Sequence, residues 1–372
     1  MPSNTTILRG ERWTMGWAPE TSYGTDPGTA SYSNVFGVVQ NISLSDPNID
    51  ITPIYAMGAN SLRNWYVAYK GRITLNASVP DILLLNGYPL YLAMGQVATT
   101  GSSPYTHTIT ERVTLPSFSM HISQYDSDGS VKLMRRFIGG KVGRMSLEAN
   151  EGDFLKCSLD DMSFTSYSHD QAGENQYSAD VADISVSYPT TQPYLFSYGS
   201  LTLNNVEFAR LRNFRLEINN SMEPRYYITD SGASQLPYEF REGKREISMS
   251  CSIDVNDASL YKELIRQGSY SNTFKGFSVT MVFARGANDT ITITSPTKTP
   301  GTGGDAMGCL IRSAPHQISE APVVTVPLNI IMRNVKITVV DSLSSYPGNT
   351  ATHSAVFSTN MGLDNSIATV QA

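Results

Sequence analysis

Between Lys70 and Val79 the chain reads Lys-Gly-Arg-Ile-Thr-Leu-Asn-Ala-Ser-Val: Ile73, Leu75, Ala77 and Val79 are apolar in strict alternation, with Thr74, Asn76 and Ser78 between them. A period of two sends the two sets to opposite faces of an extended strand, so the stretch predicts a strand with one face in a core. The same pattern is written again from Lys244 to Ile253. At a constant offset, Lys244 stands for Lys70, Ile247 for Ile73, Met249 for Leu75, Cys251 for Ala77, Ser252 for Ser78 and Ile253 for Val79.

Neighbouring features fall on the same diagonal with small shifts, which is the signature of an internal repeat. Residues 41–44 parallel 213–216, and Pro53 with Tyr55 parallels Pro224 with Tyr226. An apolar run over 82–94 stops at Gly95, and a second over 258–267 stops at Gly268. The second run predicts a short helix with Asp257 as N-cap, Leu260, Leu264 and Ile265 on one face, and Gly268 as a left-handed C-cap. The first is the weaker helix because Pro89 interrupts it. Two tandem units are expected, each a set of strands with one short flanking helix.

Further alternating stretches predict strands at 105–113, 117–125, 131–138, 143–149 and 154–164 in the first unit. In the second they fall at 201–210, 214–219, 225–229, 246–254, 277–284, 323–331 and 335–340. The turn Asp126-Ser127-Asp128-Gly129 marks a hairpin. The expected organisation is an aromatic arm over residues 1–34, a first β domain over 35–165, a polar linker over 166–195 with Pro189 and Pro193, a second β domain over 196–345, and a tail over 346–372. The arm carries Trp13, Trp17, Tyr23 and Tyr32, aromatics that must be covered by the same subunit or by a neighbour.

Composition agrees with the pattern. Charged residues make up 16% of the chain and hydrophobic ones 40%, with Tyr, Thr, Ser, Asn and Gly abundant, which points to an all-β protein rich in turns. The formal net charge of −6 argues against a protein that grips nucleic acid. The one tight basic pair, Arg135 and Arg136, reads as a solvated or interface patch. Cys157, Cys251 and Cys309 have neither a disulfide framework nor metal-ligand spacing, and read as buried free thiols. The opening Met-Pro-Ser-Asn-Thr-Thr does not read as a secretory signal, and no apolar run approaches the ~18 residues of a membrane span. Synthesis in the cytoplasm is expected.

No catalytic constellation emerges. There is no Gly-x-Ser-x-Gly elbow and no His-Glu-x-x-His, and the glycine-rich stretch around Gly301, Gly303 and Gly304 lacks the Gly-Lys-Ser/Thr of a phosphate cradle. His107 and Glu111 sit four apart on one strand face and read as a surface pair. The Asp126–Gly129 turn is not a calcium loop, because its twelfth position is Phe137 where a bidentate carboxylate is needed. Glu148 with Glu151, and Asp160 with Asp161, lack the convergent geometry of paired hydrolytic carboxylates. No enzyme, cofactor or metal is expected.

The stretch Pro19-Glu20-Thr21-Ser22-Tyr23-Gly24-Thr25-Asp26-Pro27 resembles the opening of the tail tube (major tail) proteins of tailed bacteriophages. The run Gly140-Lys141-Val142-Gly143-Arg144-Met145-Ser146-Leu147-Glu148-Ala149, followed by Glu151-Gly152-Asp153, resembles that family's central strands. The resemblance implies a β-sandwich or barrel with a flanking helix, in subunits that form rings and stack into a hollow tube of the virion tail. It implies six domains per ring, so two domains per chain would give a homotrimeric, pseudo-hexameric ring. Tape measure and tail-tip or terminator proteins are the implied partners, and double-stranded DNA passes through the lumen without specific binding. Trp13, Trp17, Tyr23, Asp126, Asp128 and Gly129 are the candidates for ring-to-ring contacts. Ile73, Leu75, Val79, Ile247, Met249 and Ile253 are the expected cores of the repeated strands. The competing reading is a carbohydrate- or receptor-binding β-sandwich of the tail tip, which the Tyr and Trp content would also suit.

Overall fold

The computed structural model describes residues 8–55, 65–126, 129, 131–171, 184–203, 206–207, 211–227, 235–254, 277–295, 309–315 and 325–347. The protein is nearly all β. The first half carries β1 (Leu8–Pro19), β2 (Ser43–Ile54), β3 (Val67–Leu83), helix α1 (Tyr88–Met94), β4 (Gly95–Gly101), β5 (Tyr105–Glu111), β6 (Phe118–Asp126), β7 (Val131–Asn150), β8 (Lys156–Ser163) and β9 (Ser166–Gln171). The second carries β10 (Gly199–Leu203), β11 (Val206–Glu207), β12 (Leu211–Asn219), β13 (Glu223–Arg225), β14 (Glu239–Arg241), β15 (Glu246–Asp254), β16 (Val279–Gly286), β17 (Asp289–Thr294), β18 (Leu310–Ser313), β19 (Thr325–Met332) and β20 (Lys336–Asp341).

The main sheet runs β18-β19-β15-β12-β7-β8-β3-β2, every neighbour antiparallel. Its order carries a pattern. In chain order the first half supplies β2, β3, β7 and β8, and the second supplies β12, β15, β18 and β19. Both sets lie in the sheet as third, fourth, second, first, and they meet where β12 pairs with β7. Arg215 faces Glu148 and Leu216 faces Leu147 at that junction. A second sheet, β11-β10-β16-β17-β20-β5-β4, also crosses between halves, at β20 and β5.

Alternation in the sequence becomes burial in the structure. Ile73, Leu75, Ala77 and Val79 of β3 and Ile247, Met249, Cys251 and Ile253 of β15 are all buried, and one hydrophobic cluster joins them to both halves. Phe214 of the main sheet meets Phe283 of the second at 5.8 Å between ring centroids, so the core is the filling of a two-sheet sandwich. Cys157, Cys251 and Cys309 are free and buried, and burial pushes the Cys251 thiol up to about 12.

Two expectations are corrected by local geometry. Pro89 does not interrupt a helix; it stands in the first turn of α1, where its missing N–H leaves no intrahelical acceptor unserved. Gly95 closes α1 at φ 113 and donates its N–H to the Tyr91 carbonyl, the left-handed cap that the end of the apolar run required. The second correction is in β7, expected as two strands and observed as one of 20 residues. Its first part pairs with β6 and β9 and its second with β8 and β12. Gly139, at φ 72, sits between the two parts; a Cβ there would lie 1.9 Å from Thr165 Oγ1, so only glycine lets the strand pass from one layer to the other.

Other differences follow from tertiary pairing that no local pattern encodes. Residues 8–19, read within an irregular arm, form β1 along β6, and residues 166–171, read as linker, form β9 along β7. The expected helix with Asp257, Leu260, Leu264, Ile265 and Gly268, the turn residue Asp128, and the glycine-rich stretch 301–304 lie outside the described residues.

Candidate assembly interface

The two segments that carry the family resemblance meet in space. Glu20, 1% exposed, accepts hydrogen bonds from Ser119 Oγ at 2.6 Å, the Gly139 N–H at 2.6 Å and the Gly24 N–H at 2.8 Å. Lys141 Nζ lies 4.9 Å from the centroid of the Tyr23 ring. Both then reach the second half: the Phe240 N–H donates to the Tyr23 hydroxyl at 3.1 Å, while Lys141 Nζ donates to the Phe240 carbonyl at 3.3 Å and to Glu242 Oε1 at 2.7 Å. Glu242 also accepts the Leu115 N–H at 3.0 Å. These motif residues thus clasp the hairpin between β12 and β15 onto the first half. A buried ion pair such as Lys141–Glu242 adds little net stability, but it fixes which groups must meet.

Asp26 completes the same corner. Its Oδ1 accepts from the Gly28 N–H at 2.9 Å and the Tyr32 hydroxyl at 2.8 Å, and its Oδ2 from Arg136 Nη1 at 2.8 Å. Arg136, expected at the surface, is buried, and its Nε donates to His121 Nδ1 at 3.0 Å. Burial raises the Asp26 carboxyl, but the Gly28, Tyr32 and Arg136 hydrogen bonds outweigh it and hold the group below its ordinary value. A depressed folded-state value means stability that is present above the unfolded carboxylate range and is lost as pH falls through the folded value. Urea unfolding at a series of pH values is therefore expected to show midpoints falling below about pH 4, with a shallower fall in Asp26→Asn. An unchanged slope in that variant would remove Asp26 from the acid response.

The predicted contact residues are placed as follows. Trp17 is 0% exposed within its own subunit, stacked on Phe36 at 5.7 Å and edge-on to Tyr88 at 5.4 Å. Trp13 is half-buried against the same core, and Tyr23 is occupied by the Lys141 and Phe240 contacts above. Asp126 ends β6 buried, its carbonyl accepting from the Gly129 N–H at 3.2 Å, and Gly129 itself is exposed at φ 84. His107 and Glu111 are not a surface pair. His107 is buried, with Nδ1 2.8 Å from Thr99 Oγ1 and Nε2 3.0 Å from Asp341 Oδ1, and this run of polar groups ties β4 and β20 to β5.

Three further features of the surface lie apart from the predicted contact residues. The first is the pair of sheet edges: β18 and β2 end the main sheet, each with a single paired neighbour among the described strands. The second is the outer face of that sheet, where Thr74, Asn76, Ser78, Ser248, Ser250, Ser252 and Asn329 alternate with the core residues. Three of its arginines are answered across strands, Arg215 by Glu148 at 3.0 Å, Arg212 by Asp254 at 3.0 Å and Arg144 by Asp160 at 3.8 Å. The third is a ribbon of exposed large apolar residues on the far part of the β2–β3 hairpin. Its sequence signal was available in the aromatics around Tyr55 and Tyr66, but period-two counting does not say when a strand outruns its sheet. Among the described residues no cluster of His, Cys, Asp and Glu could hold a metal ion, and no helix is long and apolar enough to cross a membrane.

No match to the chain was found among curated proteins. A family model described as phage tail tube protein matches residues 10–331, which takes in both resemblance segments, both halves of the main sheet and the hairpin they clasp. With a match over that span, the chain belongs to the phage tail tube protein family, whose members are structural components of the virion tail.

Proposed function

We propose that this chain is a duplicated tail tube subunit, two tandem tail-tube-like units over residues 35–165 and 196–345, of which three chains close into a ring and the rings stack into a conduit for double-stranded DNA. Tape measure and tail-tip or terminator proteins would meet the ends of that tube. The observation that carries the reading is the order of the main sheet: the same four-strand arrangement twice, side by side, with β18 and β2 left as edges. Because the eight strands alternate in direction along the sheet, β18 and β2 run oppositely, and a second copy set against either edge continues the sheet in antiparallel fashion. Such pairing repeats between chains what β7 and β12 do within one. It also removes two exposed edges that would otherwise invite aggregation.

Six units per ring, the number the resemblance implies, then require three chains and a barrel of twenty-four strands. With strands about 4.8 Å apart and tilted by about 40°, the backbone circle is roughly 45–50 Å across, wide enough for a duplex once side chains are added. The apolar face of the sheet is occupied by the core, so the polar face turns inward. Arginines already paired with carboxylates offer phosphates little purchase, and the duplex slides.

Electron microscopy and mass photometry of the purified chain over a range of concentrations test the reading. Stacked rings or tubes built on three-chain units are the expected result. Persistent monomers that bind sugars on a glycan array would replace it with the receptor-binding alternative.

A further inference from the structure

The hairpins of the two halves differ in one respect. Between β12 and β15 the second half's hairpin lies on the first half: the Tyr226 hydroxyl donates to the Ile73 carbonyl at 3.3 Å, the Arg72 guanidinium sits 5.2 Å over the Tyr226 ring, and the Ile73 N–H donates to the Gln235 carbonyl at 2.9 Å. Together with Tyr23 and Lys141 these contacts hold one side of it on the first half, while Tyr227 and Tyr238 stay 46% and 60% exposed. Among the described residues, the matching hairpin of the first half, between β2 and β3, has no such contacts beyond those at residues 70–73. Ile51, Ile54, Tyr55, Trp65, Tyr66 and Tyr69 are 41–77% exposed on it, and Tyr55 is the sequence counterpart of Tyr226. A two-stranded ribbon standing in water with large apolar side chains outward is marginal by itself.

Resting on the ring reading above, we propose that this ribbon docks on the second half of the neighbouring chain, the one whose β18 meets β2, across the segment 244–247. The occupant follows from continuity. Within a chain, the hairpin that starts from β12 leans over the unit paired to β12 and reaches residues 70–73 of β3. One step further along the sheet, the hairpin that starts from β2 leans over the unit paired to β2, which is a second copy's second half. The counterpart of residues 70–73 there is 244–247, at the start of β15, where Lys244 and Glu246 are exposed. The contact is lateral, between chains of one ring, and it adds aromatic area to a junction that backbone pairing alone would leave narrow.

The test uses the full chain in two measurements. A Trp65→Ser, Tyr66→Ser, Tyr69→Ser variant is expected to unfold at the wild-type urea midpoint, since the three side chains are exposed, and to need at least about tenfold more protein to form rings, which corresponds to 1.4 kcal/mol. If the wild type forms no rings, the ring reading itself fails; if it does and the variant forms them equally well, this inference alone is overturned. Should the variant not fold, the second measurement decides: a photo-crosslinking residue at Tyr69 in rings mixed from isotopically light and heavy chains. Inter-chain products at peptides spanning 244–247 are expected. Products confined to one chain, or reaching a different surface of another chain, would overturn the inference.

Discussion

Alanine in place of Trp17 is expected to lower the unfolding free energy by about 3–5 kcal/mol, the cost of emptying a large aromatic site in a core that closes only partly around the loss. The indole lies at the meeting point of Phe36, Tyr88 and Phe118, with centroids 5.7, 5.4 and 6.2 Å away, so its removal strips contacts from β2's approach, α1 and β6 together. Among the described residues its Nε1 has no hydrogen-bond partner, so Trp17→Phe forfeits no acceptor there and is expected to cost less than the alanine, in proportion to the smaller cavity it leaves. Urea unfolding of the two variants beside the wild type measures both costs. An alanine variant that unfolds as the wild type does, yet fails to assemble, would move Trp17 from the core to a contact between copies.

A proline at Arg312 is expected to abolish ring formation at concentrations where the wild type assembles, while leaving the isolated subunit within about 1 kcal/mol of its original stability. Arg312 is exposed and lies in an irregularity of β18: Ile311 faces Ile330 and Ser313 faces Asn329, so the residue between them is skipped in the pairing to β19. Its loss from the chain's own ladder is therefore slight. On the outer edge the ring removes an N–H and fills the space a neighbouring strand would take. Each lost backbone hydrogen bond is worth about 1 kcal/mol, and the cost recurs at every junction of a ring, so the assembly threshold should rise by well over tenfold. Mass photometry across a dilution series reads it. Rings forming at the wild-type threshold would show that β18 is not a joining edge.

Much of this architecture was legible in the chain because period-two alternation is a local code. The β15 strand begins and ends where its pattern does, and the burial of Ile247, Met249, Cys251 and Ile253 follows from their spacing. That the first apolar run stops at Gly95 was legible too, but the left-handed cap was expected only at Gly268, and it is the structure that places one at Gly95. What alternation cannot state is which strand lies beside which. That β9 joins β7, or that β1 is a strand instead of a loose arm, depends on partners 28–38 and 99–118 residues away in the chain. The polar residues were misread in a consistent direction. His107 looked like half of a surface pair with Glu111, four residues on, and Arg136 like half of a basic surface patch; the carboxylates that meet them, Asp341 and Asp26, come from 234 and 110 residues away. Of the resemblance segments only Tyr23 was given a role, as a ring-to-ring contact; in the structure Tyr23 and Lys141 hold one half's hairpin on the other, while Glu20 ties together Ser119, Gly139 and Gly24 of the first half.

The central claim is that two units in one chain occupy two places in a ring. Cryo-electron microscopy of assembled tubes, refined without imposed symmetry until chains can be counted, tests it most directly. The account predicts three chains per ring, with β18 of each beside β2 of the next and a single continuous sheet lining the lumen. Six chains per ring, or rings in which the β2 and β18 edges face solvent, would contradict it.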